Sequence, residues 1–252
     1  MRHSIRLAVA VLTFTLSPFT SFAQPPAGML DEKIVEAVRR HQDAILEHRH
    51  YFHENPELGN REFETAKRVA AHLRGLGFDV RTEVAHTGVV GILTGGRPGP
   101  VIAVRADMDA LPVTEETDFS FKSTKRTIYN DMDVGVMHAC GHDIHTSVLM
   151  GVASVLADLR QEIPGTVLFI FQPAEEGAPP GEEGGADLML AEGLFDDPRP
   201  EAVFGLHTRP GIPAGKMGYA MGPALAAADS FELTIEGRQT HGASPHQGID
   251  PI

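Results

Sequence analysis

Within eight residues, His138-Ala139-Cys140-Gly141-His142-Asp143-Ile144-His145 gathers three histidines, an aspartate and the only cysteine of the chain. Imidazole, thiolate and carboxylate groups at such spacing suit a transition-metal site, since each offers a donor atom that a zinc-type ion accepts. Val134-Gly135-Val136-Met137, just before, reads as loop. After it, Ile144, Val148, Leu149, Val152, Val155, Leu156 and Leu159 recur by threes and fours, which predicts a helix with a buried face starting near Asp143. Asp143 suits its N-cap. Cys140 and His142 then stand on an irregular turn at a helix start, where side chains two apart can converge on one ion. An inert buried cysteine is the competing reading of Cys140.

The elements that must position such a turn follow from the apolar runs. Val101–Arg105 is a continuous apolar strand, suited to the middle of a sheet covered on both faces, and it runs into Asp107 and Asp109. That pair supports either the ligands or a turn. Thr166–Gln172 is a second core strand, ending in Glu175-Glu176. Adjacent carboxylates at the end of a buried strand are costly unless paired or metal-bound. Glu201–His207 reads as a third core strand, finishing on a histidine. Strands and helices alternate, which predicts an α/β fold with a mixed, partly parallel sheet flanked by helices and its site at the strand ends.

Elsewhere, Asp31–His53 is helical and is stopped by Asn55-Pro56, with His41, His48, His50 and His53 read as a solvated face. Thr65–Leu76 makes a second helix ended by Gly77. Phe78–Val84 and Val89–Leu93 read as strands, and Gly95–Pro100 as a tight turn. Residues 113–133 look like a polar loop. Ala178–Gly185 reads as a flexible insertion with Glu182-Glu183 solvated, before a helix over Ala186–Glu192. Phe231–Gly237 alternates strictly, a change of period that places a second domain from about Asp229. The expected division is a leader over 1–23, a catalytic domain over 24–228, and the start of a smaller domain over 229–252.

A chain of 252 residues with 42% apolar and 22% charged content can bury a full core. Its net charge of −13 argues against a nucleic-acid partner. Arg2 and Arg6, the apolar run Leu7–Leu16 and the small-x-small pattern at Ser21-Phe22-Ala23 predict a signal peptide cleaved after Ala23, hence a periplasmic or secreted protein. The run is too short for a stable membrane anchor.

Taken in order, His53-Glu54-Asn55-Pro56-Glu57-Leu58-Gly59, Arg105–Pro112, the cysteine turn, Gln172–Gly177, Gly205-Leu206-His207 and the segment around His241 resemble one family. It is the amidohydrolase branch of the aminoacylase/carboxypeptidase-type dinuclear metallopeptidases, which includes hippurate hydrolases, N-acyl-amino-acid amidohydrolases and indole-acetyl-amino-acid hydrolases. The resemblance covers about residue 45 to the end. It implies a zinc-peptidase-like α/β domain with a smaller α+β lid or dimerisation domain. It makes Cys140, His142, Glu176 and His207 ligands of two divalent metal ions, with zinc, manganese, cobalt and nickel all open. Glu175 becomes the general base, and His241 a substrate-contacting residue of the lid, often across a homodimer interface. The implied substrate is a small N-acyl amino acid. The family's last ligand, a histidine beyond the lid, is not reached here, and the loop around Pro179-Pro180-Gly181 is longer than usual. The reading at this point is therefore of a truncated amidohydrolase. A non-catalytic metal-binding or dimerising fragment is one alternative. A dipeptidase or carboxypeptidase on the same framework is the other, with the Cys140 turn against it.

Overall fold

The two strands read as continuously apolar lie side by side at the centre of the sheet. The computed structural model describes residues 27–223 and 233–251. The expected leader, the boundary near Asp229 and the first residues of the alternating strand at Phe231 lie outside the described residues. The chain divides into two compact units between Thr208 and Arg209.

The first unit opens with α1 (Ala27–Glu54) and α2 (Phe63–Gly75), followed by β1 (Asp79–Val84), β2 (Gly88–Thr94) and β3 (Arg97–Asp107). A small hairpin, β4 (Arg126–Tyr129) and β5 (Met132–Gly135), precedes α3 (His142–Asp158); β6 (Pro164–Gln172), α4 (Gly185–Ala191) and β7 (Ala202–Gly205) complete the unit. The main sheet runs β1-β2-β6-β3-β7. β2 pairs antiparallel with β1 and β6, whereas β3 lies parallel to both β6 and β7. Its fold class is thus the mixed α/β sheet flanked by helices that the patterning predicts.

β6 explains why its run is apolar throughout. Val167, Phe169 and Phe171 enter the core formed with α2 and α3, which includes Phe52, Leu73, Met150 and Ala153. Leu168 and Ile170 face the opposite side, packing with Ala103, Met189 and Leu194. A strand buried on both faces needs no polar alternation. α2 ends as predicted: Gly77, at φ 76°, gives its N–H to Arg74 O and Phe78 gives its own to Leu73 O, which satisfies the last carbonyls of the helix.

Several expectations are corrected. Residues 113–133 are not all loop, because Asn130 and Asp131, both at positive φ, turn β4 into β5; this two-residue turn is one that asparagine and aspartate tolerate. β5 also takes in Val134-Gly135, and Met137 bridges to Leu111, so the segment before the cysteine is paired rather than free. The Gly95–Pro100 turn is shorter, since β3 already starts at Arg97. β7 is an exposed edge: it pairs only with β3, and Phe204 is 59% exposed, because nothing among the described residues covers its faces.

In the second unit, the described residues hold a bridge between Arg238 and Ile249 and a one-turn helix at Pro245–Gln247. Residues 233–237 carry no strand pairing. A strand persists only where a neighbour takes up its N–H and C=O groups, and among the described residues pairing starts at Arg238. No helix among the described residues is long and apolar enough to cross a membrane.

Candidate metal centre

Register brings the carboxyl ends of the parallel strands to one level. Asp107 pairs opposite Gln172 and Arg105 opposite Gly205. The segments that follow therefore emerge together: Asp109 after β3, Glu175 and Glu176 after β6, His207 after β7. The amino end of α3 supplies Cys140 and His142. Gly141 makes that approach possible; it stands at φ 91°, and a Cβ there would collide with the Thr208 hydroxyl. Gly141 also occupies the N-cap position, so Asp143 is not the cap expected of it. Asp143 lies in the first turn and turns inward to His53.

Cys140 Sγ lies 3.4 Å from His207 Nε2. His142 is fully buried, and its Nε2 stands 3.6 Å from Glu175 Oε2, 3.7 Å from Glu176 Oε1 and 3.7 Å from Asp107 Oδ1. That Nε2 has no hydrogen-bond partner among the described residues. Two ligand sets result, Cys140 with His142 and His207, and His142 with Glu175 and Glu176; within each, one donor atom per residue lies within 4.8 Å of the others. A third set, Asp107 with His142 and His145, meets the same geometric test. The structure thus brings together Cys140, His142, Glu175, Glu176 and His207. His241 belongs to the other unit, where it is exposed and its Nδ1 accepts the Ala243 N–H at 3.1 Å.

The surrounding hydrogen bonds fix these groups. His142 Nδ1 gives its proton to Asp109 Oδ1 at 3.2 Å, which leaves Nε2 as the ring nitrogen turned toward Glu175 and Glu176. Asp109 Oδ2 accepts the Glu176 N–H at 2.8 Å, so one carboxylate holds two candidate ligands. Asp107 accepts from His145 Nδ1 at 2.6 Å and from Arg105 at 2.7 Å, while Thr208 N–H donates to His145 Nε2 at 2.9 Å. Both nitrogens of His145 are thereby engaged, and it orients rather than binds. Burial alone would raise the Asp107 carboxyl, but the His145 hydrogen bond and the charges of His142 and Arg105 outweigh it and hold it at about 2.

Electrostatics favour a cation. Burial first, and then the carboxylates of Glu176, Glu175 and Asp107, push the Cys140 thiol up to about 12. A divalent ion among the same donors would reverse that balance and favour the thiolate. Glu175 also sits above the usual carboxylate range, through burial and then the charge of Asp107.

Two further residues of this region, His53 and Glu62, escape sequence reasoning, whereas His138 lies in the turn that the sequence singles out. His53 is not part of a solvated face: it is 4% exposed, with Nδ1 2.9 Å from Asp143 and Nε2 3.0 Å from Glu115. Charged neighbours on α1 hide this, because residues of the loop ahead of the hairpin, far along the chain, cover it; Phe121 packs edge-on against His53 and stacks on His50. His138 is buried with neither ring nitrogen hydrogen-bonded, and burial lowers it to about 4. Glu62, fully buried, accepts the Ala174 N–H just before Glu175. Nor is Glu182 solvated alone; it pairs with Arg61 and Asn60, which ties its loop to the start of α2.

Residues 103–248 match the family model for peptidase family M20/M25/M40. The chain is 43% identical over 224 residues to thermostable carboxypeptidase 1 of Saccharolobus solfataricus, covering 88% of this chain and 54% of that protein. It is 40% identical to the N-acyl-L-amino acid amidohydrolase of Geobacillus stearothermophilus, covering 89% of this chain and 57% of that one. Among solved structures it resembles the Bacillus subtilis YXEP protein, described as a dinuclear metal binding peptidase, with TM-score 0.60 and 38% identity over 72% of this chain and 46% of that one. The chain spans about half the length of the curated relatives it matches.

Proposed function

The chain belongs to peptidase family M20/M25/M40, and from that membership we propose that it carries the metal-binding part of an amidohydrolase that splits N-acyl amino acids into a carboxylic acid and a free amino acid. One observation carries the reading: the buried, unpartnered Nε2 of His142, facing Glu175 and Glu176 beside the Cys140–His207 pair. A bare donor atom in a buried acidic cluster fits a divalent cation.

Cys140, His142, Glu176 and His207 would hold two such ions. When bound, they lower the pKa of a water and polarise the amide carbonyl. Glu175, on the adjacent position but half-exposed, takes the water's proton and returns it to the departing amine. Its raised proton affinity, from burial first and then the charge of Asp107, suits a proton acceptor. Asp109 orients His142 and the Glu176 backbone, and Asp107 orients His145. The mixed sulfur, nitrogen and oxygen donors suit zinc best, with manganese, cobalt and nickel as the ions to compare by elemental analysis. His241 is proposed to contact substrate from a lid, in a homodimer. The basic start and apolar run of residues 1–23 support export, which N-terminal sequencing of the mature protein checks.

The test is hydrolysis of hippurate and N-acetyl amino acids by the complete protein. Activity lost to a chelator and restored by added metal supports the reading. Release of C-terminal residues from peptides, without deacylation, replaces it with a carboxypeptidase. Metal uptake with neither activity leaves a metal-binding fragment.

A further inference from the structure

Glu62 is fully buried, and its two carboxylate oxygens serve two different segments. Oε2 accepts the Thr87 hydroxyl at 2.5 Å, and Oε1 accepts the Ala174 N–H at 2.8 Å. Its own carbonyl accepts the Ala66 N–H at 2.9 Å, so the residue is anchored at the start of α2. Ala174 is unusual in turn. It is an alanine at φ 47°, a left-handed conformation that its Cβ disfavours. It follows Pro173, which has no N–H, and immediately precedes Glu175 and Glu176. Its N–H is therefore the first backbone donor beyond β6, and the angle taken there sets where the next two side chains point.

The bend is also held from outside. A Cβ on Gly59 would sit 2.7 Å from Gly177 O and 3.2 Å from Ala174 Cα, so the segment after α1 packs directly against it. Burying a carboxylate here is costly, and that burial pushes Glu62 up to about 7. A position needed only for packing would be filled more cheaply by an apolar side chain. Strained backbone of this kind persists only where its surroundings over-determine it.

We propose that Glu62 is a positioning residue whose carboxylate grips the Ala174 N–H and so fixes the left-handed bend that aims Glu175 and Glu176. The consequence for metal rests on the reading of Glu176 as a ligand.

Four variants and three readouts test it, hydrogen exchange at the Ala174 amide, zinc affinity and melting temperature. Glu62→Met keeps the volume and removes the acceptor; it should cut Ala174 protection at least tenfold and zinc affinity by about tenfold to a hundredfold, the range for lost supporting contacts. Glu62→Gln keeps an acceptor oxygen and should stay within about twofold of the parent in both. Thr87→Val removes only the other partner; it should lower the melting temperature and leave zinc affinity alone. Adding Ala174→Gly to Glu62→Met should recover part of the affinity, since glycine takes the left-handed bend freely. Parent-like protection and affinity in Glu62→Met, or equal damage in Glu62→Gln, overturns the proposal. So does an Ala174 amide that exchanges in the parent as fast as an exposed one, a result that needs no variant to fold. A parent that binds no zinc counts against the ligand assignment instead, and the amide protection series then decides the role of Glu62 alone.

Discussion

Two buried imidazoles flank the first turn of α3, and they are finished differently. Both nitrogens of His53 face carboxylates, Asp143 and Glu115, with Arg49 also 3.3 Å from Asp143. His142 has only one nitrogen engaged, by Asp109, and the other is bare although no part of the ring reaches solvent. The first arrangement is closed and can only hold structure together. The second keeps a donor atom in reserve. Residue type and burial are the same in both; what separates a strut from a candidate ligand is whether the hydrogen bonding is complete.

The largest expected effect is on the open side. Glu175→Gln should reduce turnover by about 10² to 10⁴-fold, the usual worth of a positioned proton acceptor, with metal stoichiometry unchanged. Equal rates in variant and parent would remove Glu175 from the chemistry.

Next comes the closed side. His53→Ala leaves Asp143 and Glu115 buried without their partner and should cost about 3–5 kcal/mol in denaturant unfolding, while zinc occupancy holds. The hydrogen bond to Asp143 chiefly raises the His53 pKa. Its stabilisation is therefore complete below the unfolded value of about 6.5 and is lost as pH rises through the folded one. The stability gap between parent and variant should narrow with rising pH; a gap that widens would reverse the assignment.

A smaller effect belongs to Glu62. Its carboxyl is raised from 4.5 to about 7, so the folded state holds that proton more tightly. The parent should lose roughly 3 kcal/mol of stability between pH 4.5 and 7 that Glu62→Gln does not lose. Parallel stability curves would contradict this.

Smallest is Asp109→Asn, which loosens His142 without deleting it. Zinc affinity should fall about tenfold to a hundredfold, as read by competition with a chromogenic chelator. If His53→Ala lowers affinity more than Asp109→Asn does, the contrast between closed and open imidazoles fails.

Much of this arrangement is legible in the sequence because it follows from local pattern. The apolar runs of β3 and β6, the turn before α3 and the acids after β6 all show their placement within a few residues. What is illegible depends on distant cover. His53 looks solvated on an α1 surface of charges, since the Glu115 and Phe121 that bury it come from a segment read as polar loop. β7 looks like a core strand because apolar composition does not reveal which faces find a neighbour. Glu62 sits in Arg61-Glu62-Phe63-Glu64, where nothing distinguishes the buried acid from the exposed one two positions on. Asn130-Asp131, by contrast, is a local signal, since both residue types tolerate the positive φ that a two-residue hairpin turn requires.

The two-faced greasiness of β6 carries a risk for a chain on its way to this fold. A strand with Phe169 and Phe171 on one side and Leu168 and Ile170 on the other can slip by one residue without exposing anything oily, so hydrophobicity cannot proofread its alignment. The polar end does so instead: Arg105, held by Asp107 of its own strand at 2.7 Å, gives an N–H across to Gln172 of β6 at 2.9 Å, a latch that a one-residue slip would break. The polar groups beside the candidate site thus double as the ruler against which the central strands are measured.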